Sequence, residues 1–480
     1  MASAKRTEGR PAPGASREAA GPRVLAIETH TIAQIPPDER HGRPRDLFTV
    51  WFTSNLMPLT VVTGALLTVT FNLPFWAAVV AVLLGNLFGG VFAALHAAQG
   101  PRLGVPQMIQ SRGQYGTLGS VLVVLVAVFM YLGFFASNMV LGGQALHELA
   151  GGISVDLGIV FSGVVSLLIV VFGYDLIHGI NRWFAPVFAI VLTAAVAIMV
   201  IRGLPGDFLS AGHFTFGGFV SAAVVTGVLW QIAYAPYVSD YSRYLSSTEG
   251  ARPAFWNSYF GLVIGSVGPM LIGAMVGRIS SNPNQVAALH GLAAPIGWLV
   301  MLVFVVGIMD TNAINAYGGV LCSITVGQTF REEWLPEART RIAVVVVFVA
   351  LTLIAALEFQ ATFLSSYLNF ISLLLYLLIP WTAINLVDYY LVRHGEYEVA
   401  EFFRKDGGRY GRVQWPSVGM YVLGFVVEIP FMNTTLYEGP VARALGGTDI
   451  SWLIGLLVTI PVYYFVTSSR LKAAKTALAK

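Results

Sequence analysis

The chain has 480 residues, of which 56% are hydrophobic and only 11% are charged. A soluble domain carries about 25% charged residues, so this chain has too few to cover a surface that faces water, and a large soluble protein is excluded. The net charge is only +3, and the single cysteine, Cys322, excludes an internal disulfide and a cysteine metal site.

The chain begins with a polar, basic segment rich in Pro, Gly and Ala. It lacks the apolar core of a signal peptide, so we expect a disordered cytoplasmic tail over residues 1–45. Twelve apolar segments follow, each near the ~20 residues that cross a hydrocarbon core. The sequence therefore predicts an all-α integral membrane protein with twelve transmembrane helices. These lie over residues 47–71, 75–99, 117–147, 157–176, 183–202, 216–242, 256–278, 296–328, 341–357, 361–391, 416–435 and 450–468.

Lysine and arginine are distributed unevenly over this pattern. With the N-terminus inside, every one of the 28 falls in a cytoplasmic tail or loop except Arg202, Arg278 and Arg443. This asymmetry is what the positive-inside rule requires. We therefore expect a multi-pass protein of the plasma membrane with both termini in the cytoplasm.

The first and sixth predicted helices are interrupted by proline at comparable places, over residues 54–58 and 234–240. Proline removes a backbone donor and clashes with the preceding turn. The carbonyls freed in this way need partners in protein or in a water-filled cavity. One such interruption is typical of an ordinary proline kink. The matched pair favours an inverted repeat with a binding site near the membrane midplane.

The eighth predicted helix contains a polar cluster. Asp310, Thr311, Asn312 and Asn315 lie within six residues, and the spacing places Asn315 on one face with Thr311 and Asn312. A carboxylate at a helix centre costs roughly 2.5–3.5 kcal/mol, so Asp310 must be protonated, paired or bound to a cation. An asparagine offers an acceptor and two donors. Interhelical hydrogen bonding is the alternative, but four polar residues favour a functional site.

Aromatic residues mark the third and sixth helices. Tyr131, Phe134 and Asn138 share one face of the third helix, and Trp230, Gln231 and Tyr234 precede the break of the sixth. Aromatic rings in membrane helices are usually packing residues. Flat faces beside an amide cluster would also suit a planar heterocycle.

Signals for enzymatic chemistry are weak. His147 begins a sequence that resembles HExxH but lacks the second histidine, and neither a Walker loop nor GxSxG is found. Glu358, Asp388 and Glu428 fall near predicted helix ends, where we expect their carboxylates to be solvated. We therefore expect no enzyme and no cofactor, and an ion gradient as the energy source.

Several stretches together resemble one family. They are residues 28–42 and 51–56 around the start of the first helix, the run SDYSRY over 239–244, and the spacing from Asn312 through Asn315 to Tyr317. They resemble the purine–cytosine permeases of the nucleobase:cation symporter family 1, and the similarity covers roughly residues 28–470. The resemblance implies ten helices in two inverted five-helix repeats, followed by two peripheral helices.

The resemblance also implies where substrate lies, namely between the broken helices and the third, sixth and eighth helices. Phe134 would stack on the base, Tyr131 or Asn138 would take the place of a nearby amide, and Asn315 with Asn312 would hydrogen-bond it. Trp230 or Tyr234 would complete the sandwich beside Gln231. The candidate cation-coupling residues are Ser54, Asn55, Asp310 and Thr311.

Two positions depart from the family pattern. Sodium-coupled bacterial members place Ser/Thr-Thr where this chain has Asp310 and Thr311, so the acid could bind sodium or carry a proton. Tyr131 replaces an amide of the cytosine permeases, which puts cytosine itself in doubt.

The expected function is symport of a nucleobase or related planar nitrogen heterocycle with H⁺ or Na⁺. A symporter of another small solute, such as an amino acid or a vitamin, is the alternative, and a membrane-embedded enzyme or receptor is a further one. The expected partners are the substrate and membrane lipid, with no nucleic acid and no obligate protein partner. The expected organisation is a tail (1–45), two five-helix repeats (46–202 and 203–393), a cytoplasmic loop (394–415), two peripheral helices (416–468) and a tail (469–480).

Overall fold

A computed structural model of the chain describes residues 32–40, 42–172, 174–248, 250–331, 338–404 and 406–478. Most of the predicted N-terminal tail lies outside these residues. The described residues are helical, and instead of strands they contain two isolated β-bridges. The principal helices are α1 (Pro44–Asn55), α2 (Pro58–Val69), α3 (Phe75–Ala97), α4 (Val121–Leu149), α5 (Val155–Phe172), α6 (Tyr174–Ile201), α7 (Phe216–Ile232), α8 (Val238–Ser242), α9 (Ala251–Ile279), α10 (Gln285–Leu292), α11 (Gly297–Phe330), α12 (Ala338–Phe359), α13 (Phe363–Leu386), α14 (Trp415–Glu428) and α15 (Ser451–Leu478).

Many of these helices are suited to a membrane. Among the described residues, seven are long and apolar enough to cross one, and eight if the bent pair of α1 and α2 counts as one span. One of the seven, Arg339–Val392, contains both α12 and α13, with the short turn Gln360–Thr362 between them. The apolar helices Val155–Val171, Phe216–Ile232 and Trp415–Phe431 are shorter. The chain is a multi-pass membrane protein.

Both predicted interruptions are present. The axes of α1 and α2 differ by 61°, and Pro58 occupies the first position of α2, where a missing N–H costs nothing. In the second interruption, α7 ends at Ile232 and α8 begins only at Val238, with Pro236 between them. Each break exposes backbone groups that neighbouring side chains must satisfy.

The helices form two packed bodies, a bundle that contains both breaks and a scaffold that contains neither. In the bundle, α9 packs against α1, α2 and α3, and α3 packs against α7 and α8. In the scaffold, α4 packs against α5, α11 and α12, and α11 packs against α5. Contacts between the bundle and the scaffold are much sparser than contacts within each of them. The fold therefore consists of two packing units, the bundle and the scaffold, with few contacts between them.

Small residues allow the closest approach inside the bundle. A Cβ atom at Gly64 of α2 would lie 1.9 Å from the carbonyl oxygen of Met270, and one at Gly273 of α9 would lie 1.7 Å from that of Val61. Such contact brings helix backbones together in a solvent that gives apolar side chains no reason to associate. Close packing of complementary helix surfaces therefore holds the bundle together.

The helix α13 contacts both bodies and carries α14 and α15 on its outer side. Two hydrogen bonds join it to the bundle. Near one end the hydroxyls of Tyr367 and Thr63 lie 2.7 Å apart, and near the other end Gln99 Nε2 donates to Asn385 Oδ1 at 2.8 Å.

The expectation that acids near helix ends are solvated is right for Glu358, which is exposed, and wrong for Asp388 and Glu428. Asp388 is fully buried because the chain folds back over it, and its carboxylate accepts bonds from Arg393 Nε at 2.9 Å and Tyr463 OH at 3.1 Å. Glu428 is buried against Gly455 of α15, where a Cβ would lie 1.9 Å from its Oε1.

Candidate functional site

Asn55, the last residue of α1, joins the two breaks. Its Oδ1 accepts hydrogen bonds from Trp230 Nε1 at 2.7 Å and Tyr234 OH at 2.9 Å, and from Ser266 Oγ at 2.8 Å. Its Nδ2 donates to the carbonyl oxygen of Trp51 at 2.7 Å. An amide oxygen has two lone pairs, so three donors leave this oxygen no capacity for an ion. Asn55 holds α7 and α9 against the first break.

Aromatic rings surround the second break. Trp51 of α1 meets Tyr234, Tyr237 and Tyr241 edge to face, with ring centroids 5.8, 5.9 and 5.0 Å apart. From the scaffold, the ring of Tyr131 lies 5.6 Å from that of Tyr237. Edge-to-face pairs are favoured by the ring quadrupole. The unwound segment between α7 and α8 is therefore enclosed by rings from both bodies.

Phe134 of the scaffold faces Trp230 across the boundary between the two bodies. The two rings meet edge to face at 6.3 Å, and Phe134 also meets Phe370 of α13 at 5.3 Å. Rings at right angles cannot both present a face to one flat ligand. A ligand between Phe134 and Trp230 therefore requires one ring to turn.

Gln231 faces away from these rings. Its Nε2 donates to Asn86 Oδ1 at 2.7 Å and to Ser266 Oγ at 3.1 Å, within the bundle. A π-helical turn, Val224–Leu229, directly precedes Trp230 and alters the register in which the following side chains leave the helix. Such turns are frequent at functional sites. Here the turn is followed by Trp230 bonded to α1 and by Gln231 bonded to α3.

The scaffold amides are buried inside it. Asn138 and Asn312 are almost fully enclosed, and neither amide has a hydrogen-bond partner among the described residues. Contacts of Gly142 with Ile308, and of Gly318 with Tyr131, show that α4 and α11 run antiparallel. This register places Asn138 and Asn312 at about the same height along the axes of the two helices.

The remaining predicted residues are less enclosed. Ser54, Thr311 and Asn315 are half-buried, and Ser54 Oγ donates to the carbonyl oxygen of Trp51 at 3.2 Å. The side chain of Asp310 lies outside the described part of the chain. Among the residues that are described, no three His, Cys, Asp or Glu side chains could hold a metal ion together.

Several residues of this region were not predicted from the sequence. Asn86 and Ser266 stand alone in apolar helices, and an isolated polar residue in a membrane helix is itself a usable signal. Phe370 and Tyr237 carry no such signal, because aromatic residues are common throughout the chain. The arrangement as a whole offers flat apolar faces with a few amides and hydroxyls, which suits a planar polar ring.

Three comparisons place the chain among known proteins. Residues 34–455 match a family model described as permease for cytosine/purines, uracil, thiamine, allantoin. YxlA of Bacillus subtilis, which carries the name of a purine-cytosine permease, is 39% identical over 93% of this chain and 97% of its own length. The purine-cytosine permease fcyB of Emericella nidulans is 24% identical over 90% of this chain and 86% of its own.

The fold is similar to that of Mhp1, a nucleobase-cation-symport-1 family transporter. The inward-facing form of Mhp1 superposes with a TM-score of 0.74 and covers 92% of this chain and 94% of its own, at 19% identity. A closed form of Mhp1 with bromovinylhydantoin bound gives 0.73, with 94% and 96% covered, also at 19% identity.

Proposed function

Because the chain belongs to the family of permeases for cytosine and purines, uracil, thiamine and allantoin, we propose that it imports a nucleobase or related planar nitrogen heterocycle. The transport is secondary active symport with H⁺ or Na⁺ by alternating access. The observation that carries this proposal is the convergence of aromatic rings from both bodies on the two helix breaks, where a flat ligand would contact the bundle and the scaffold together.

In the proposed site, Phe134 and Trp230 sandwich the heterocycle after one ring has turned. Tyr131 and Tyr234 border it, and the half-buried amide of Asn315 reads its polar edge. The amides of Asn138 and Asn312, buried behind this face, are proposed to support binding from within the scaffold. Gln231 contributes indirectly, because its hydrogen bonds to the bundle hold the helix that presents Trp230.

The proposed architecture has twelve spans. Helices α1 to α6 and α7 to α13 would form two inverted repeats of five spans, each of which begins with a broken span, and α14 and α15 would be peripheral. The domain boundaries at residues 46, 203, 394 and 416 follow from this division. The likeness of the fold to Mhp1 supports it.

We propose the cytoplasm for both termini and for the 394–415 loop. The three basic residues on the opposite side support this orientation, because each bonds to a local acceptor. Arg202 donates to the carbonyl oxygen of Gly291 at 3.4 Å. Arg278 donates to the carbonyl oxygens of Thr68 and Leu73 at 3.0 Å each, beyond the end of α2, where a cation is favoured. Arg443 pairs with Glu438 at 2.9 Å.

The coupling residues are proposed on α11 and at the first break. Asp310 would bind sodium as a carboxylate or carry the proton, with Thr311 and Ser54 as neighbours. Asn55 would act by positioning, since its oxygen is already occupied by three donors.

Thermal unfolding of the purified protein tests the proposed substrate class. A ligand that binds only the native state raises the apparent Tm by mass action. We expect a rise with adenine, hypoxanthine, uracil or allantoin, and none with leucine at the same concentration. Uptake of the compound that stabilises the protein is then measured in proteoliposomes with a sodium or a proton gradient. A rise with leucine alone would contradict the proposal.

A further inference from the structure

A chain of buried polar side chains joins the end of α3 to α13, on the side of the molecule that carries the 394–415 loop. His96 is fully buried, and its Nδ1 lies 3.1 Å from Gln107 Nε2. Gln107 Nε2 also lies 3.4 Å from Gln99 Oε1, and Gln99 Nε2 donates to Asn385 Oδ1 at 2.8 Å. These four residues, the amide chain, connect an imidazole of the bundle to α13.

The amide chain has a direction. An amide nitrogen can only donate, so His96 Nδ1 accepts from Gln107 and the neutral ring carries its proton on Nε2. Three atoms of the amide chain lack a partner among the described residues, namely His96 Nε2, Gln107 Oε1 and Asn385 Nδ2. If the donors and acceptors along the amide chain were exchanged, two of these three atoms, the Gln107 oxygen and the Asn385 nitrogen, would gain a partner.

Reversal requires only that each amide turn by half a revolution. A protonated His96 then donates from Nδ1 to Gln107 Oε1, Gln99 donates to the same oxygen, and Asn385 Nδ2 donates to Gln99. The reversed chain keeps every hydrogen bond along its length. The turn gives up the 3.4 Å contact between Gln107 and Gln110. The amide chain can therefore accept a proton at His96 without repacking.

The surroundings hold the imidazole ring in place and offset part of the cost of burying a charge there. It stacks on Trp381 with ring centroids 4.7 Å apart and planes 9° apart, and a cation over an indole face is attracted to it. Trp381 is itself held by a bond from its Nε1 to Ser111 Oγ at 3.1 Å. Ser239 Oγ donates to the carbonyl oxygen of His96 at 2.7 Å.

Charged groups lie on each element that packs around the ring. Asp240 on α8 contributes a carboxylate, whose Oδ1 accepts from the backbone N–H of Gln107 at 2.8 Å. Just beyond the end of α13, Asp388 is neutralised by Arg393. The remaining charged side chains on these elements are Arg102, Arg112 and Arg243, which donate to backbone carbonyls of other segments. The arginines outnumber the one unneutralised carboxylate, so a cation at His96 depends for its stabilisation on the Trp381 face and on the reversed chain.

A pocket of about 580 Å³ lies beside the amide chain and is lined by Arg102, Tyr389, Tyr390 and His394 among others. The Tyr390 hydroxyl donates to the carbonyl oxygen of Leu95 at 2.7 Å, and Leu95 directly precedes His96. The pocket is therefore linked through Tyr390 to the helix that carries His96, but it does not reach the buried imidazole. Separation of α3 from α13 would join the two.

We propose that His96 is a proton-binding site of the transport cycle, which exchanges its proton with the cytoplasm when α3 and α13 separate. The proposal rests on the proposed function and names one residue that carries a coupling proton. Loss of that proton at alkaline pH leaves the amide chain in its neutral direction and slows the return of the loaded transporter.

Equilibrium exchange of radiolabelled adenine, and separately of cytosine, in proteoliposomes with equal pH on both sides tests this. Because no proton gradient drives the exchange, any pH dependence of its rate arises from titration of groups in the transporter. Wild-type exchange should fall on the alkaline side by up to about tenfold per pH unit, as for one titrating group. His96→Gln should be flat, and the matched control His213→Gln, in an exposed loop, should behave as wild type. In Gln107→Glu, the carboxylate can only accept a hydrogen bond from His96. The midpoint of the pH profile of exchange should therefore move to more alkaline pH.

A wild-type pH profile in His96→Gln overturns the proposal. A profile that becomes flat in Asp310→Asn but not in His96→Gln does so too, and assigns the proton to α11. If His96→Gln does not fold, the Gln107→Glu profile decides, and an unchanged midpoint overturns the proposal. If the wild type exchanges neither compound at any pH, and exchanges no hypoxanthine, uracil or allantoin either, the proposed function is contradicted and this inference falls with it.

Discussion

The bundle and the scaffold use their buried amides in opposite ways. In the bundle, Gln231 donates to Asn86, and Asn55 accepts from Ser266 and from two aromatic residues. In the scaffold, Asn138 and Asn312 lie on facing helices with no partner among the described residues. An unmade hydrogen bond in a buried place costs about 1–3 kcal/mol. Each of these bundle amides makes at least one hydrogen bond, although the Gln231 oxygen has no partner among the described residues, whereas the two scaffold amides make none.

This difference suggests different roles. A connected polar network stiffens the helices that share it, so the bundle should move as one unit with its broken helices attached. Unpaired amides keep donors and acceptors available for a group that the protein itself does not supply. The scaffold should therefore depend on substrate or water for part of its polar contacts, and substitutions in the two bodies should separate stability from transport.

The largest effect is expected from Asn55→Leu. The change removes the acceptor of three buried donors, so the free energy of unfolding should fall by about 3 kcal/mol or more and uptake should be lost. Thermal unfolding in detergent and uptake in proteoliposomes measure this. The control is Asn257→Leu, since the Asn257 amide bonds only to its own helix. A wild-type Tm in Asn55→Leu would refute the bundle network.

Asn315→Ala should lower transport without unfolding the protein. The substrate edge would lose its partner at a cost of about 1–3 kcal/mol, which corresponds to a fall in kcat/KM of about 5- to 150-fold. Initial rates of uptake over a range of substrate concentrations give the value, and the Tm is measured alongside. Uptake kinetics equal to those of the wild type would mean that Asn315 serves helix contacts instead.

Phe134→Ala should raise the apparent KM by about two- to tenfold, because an aromatic stacking contact contributes about 0.5–1.5 kcal/mol. Phe161→Ala provides the control, since Phe161 is 49% exposed on the outer side of α5. The same uptake assay applies to both. Equal KM values in the two variants would place the substrate away from Phe134.

The smallest effect on stability is expected from Asn312→Leu, compared with Asn86→Leu. In the bundle variant, Gln231 loses its acceptor and the free energy of unfolding should fall by about 1–3 kcal/mol. In the scaffold variant no described partner is lost, so the change should be below about 1 kcal/mol. Paired thermal melts decide the matter. Equal losses would show that Asn312 is satisfied by water and would remove the contrast between the two bodies.

Much of the fold was accessible from the sequence because it depends on local chemistry. Pro58 and Pro236 lie at the two interruptions, where polar residues accompany them, whereas Pro186, Pro269, Pro380 and Pro461 lie inside helices that continue through them. The apolar segments likewise correspond to helices. These features need no knowledge of which helix lies beside which.

What could not be predicted depends on contacts between distant segments. The direction of Gln231 follows from the π-helical turn before it, which no residue type announces. Asp388 is buried because Tyr463, 75 positions away, and the following loop fold over it. The placement of Asn55 beneath Trp230 likewise depends on how α1 and α7 meet. Sequence patterns identify such polar residues but do not pair them.

The two hydrogen bonds between α13 and the bundle bear on how the protein limits uncoupled leakage of ions across the membrane. Tyr367 and Asn385 are about 27 Å apart along the helix, since each residue adds 1.5 Å, and each bonds to the bundle near one membrane face. When the bundle rocks, one bond can break while the other remains as a pivot. Opening both faces at once would break both bonds together. A continuous pore, which requires both bonds to be broken, is therefore the most costly arrangement of these helices. The same helix, α13, thus permits the rocking and suppresses the uncoupled flow of ions.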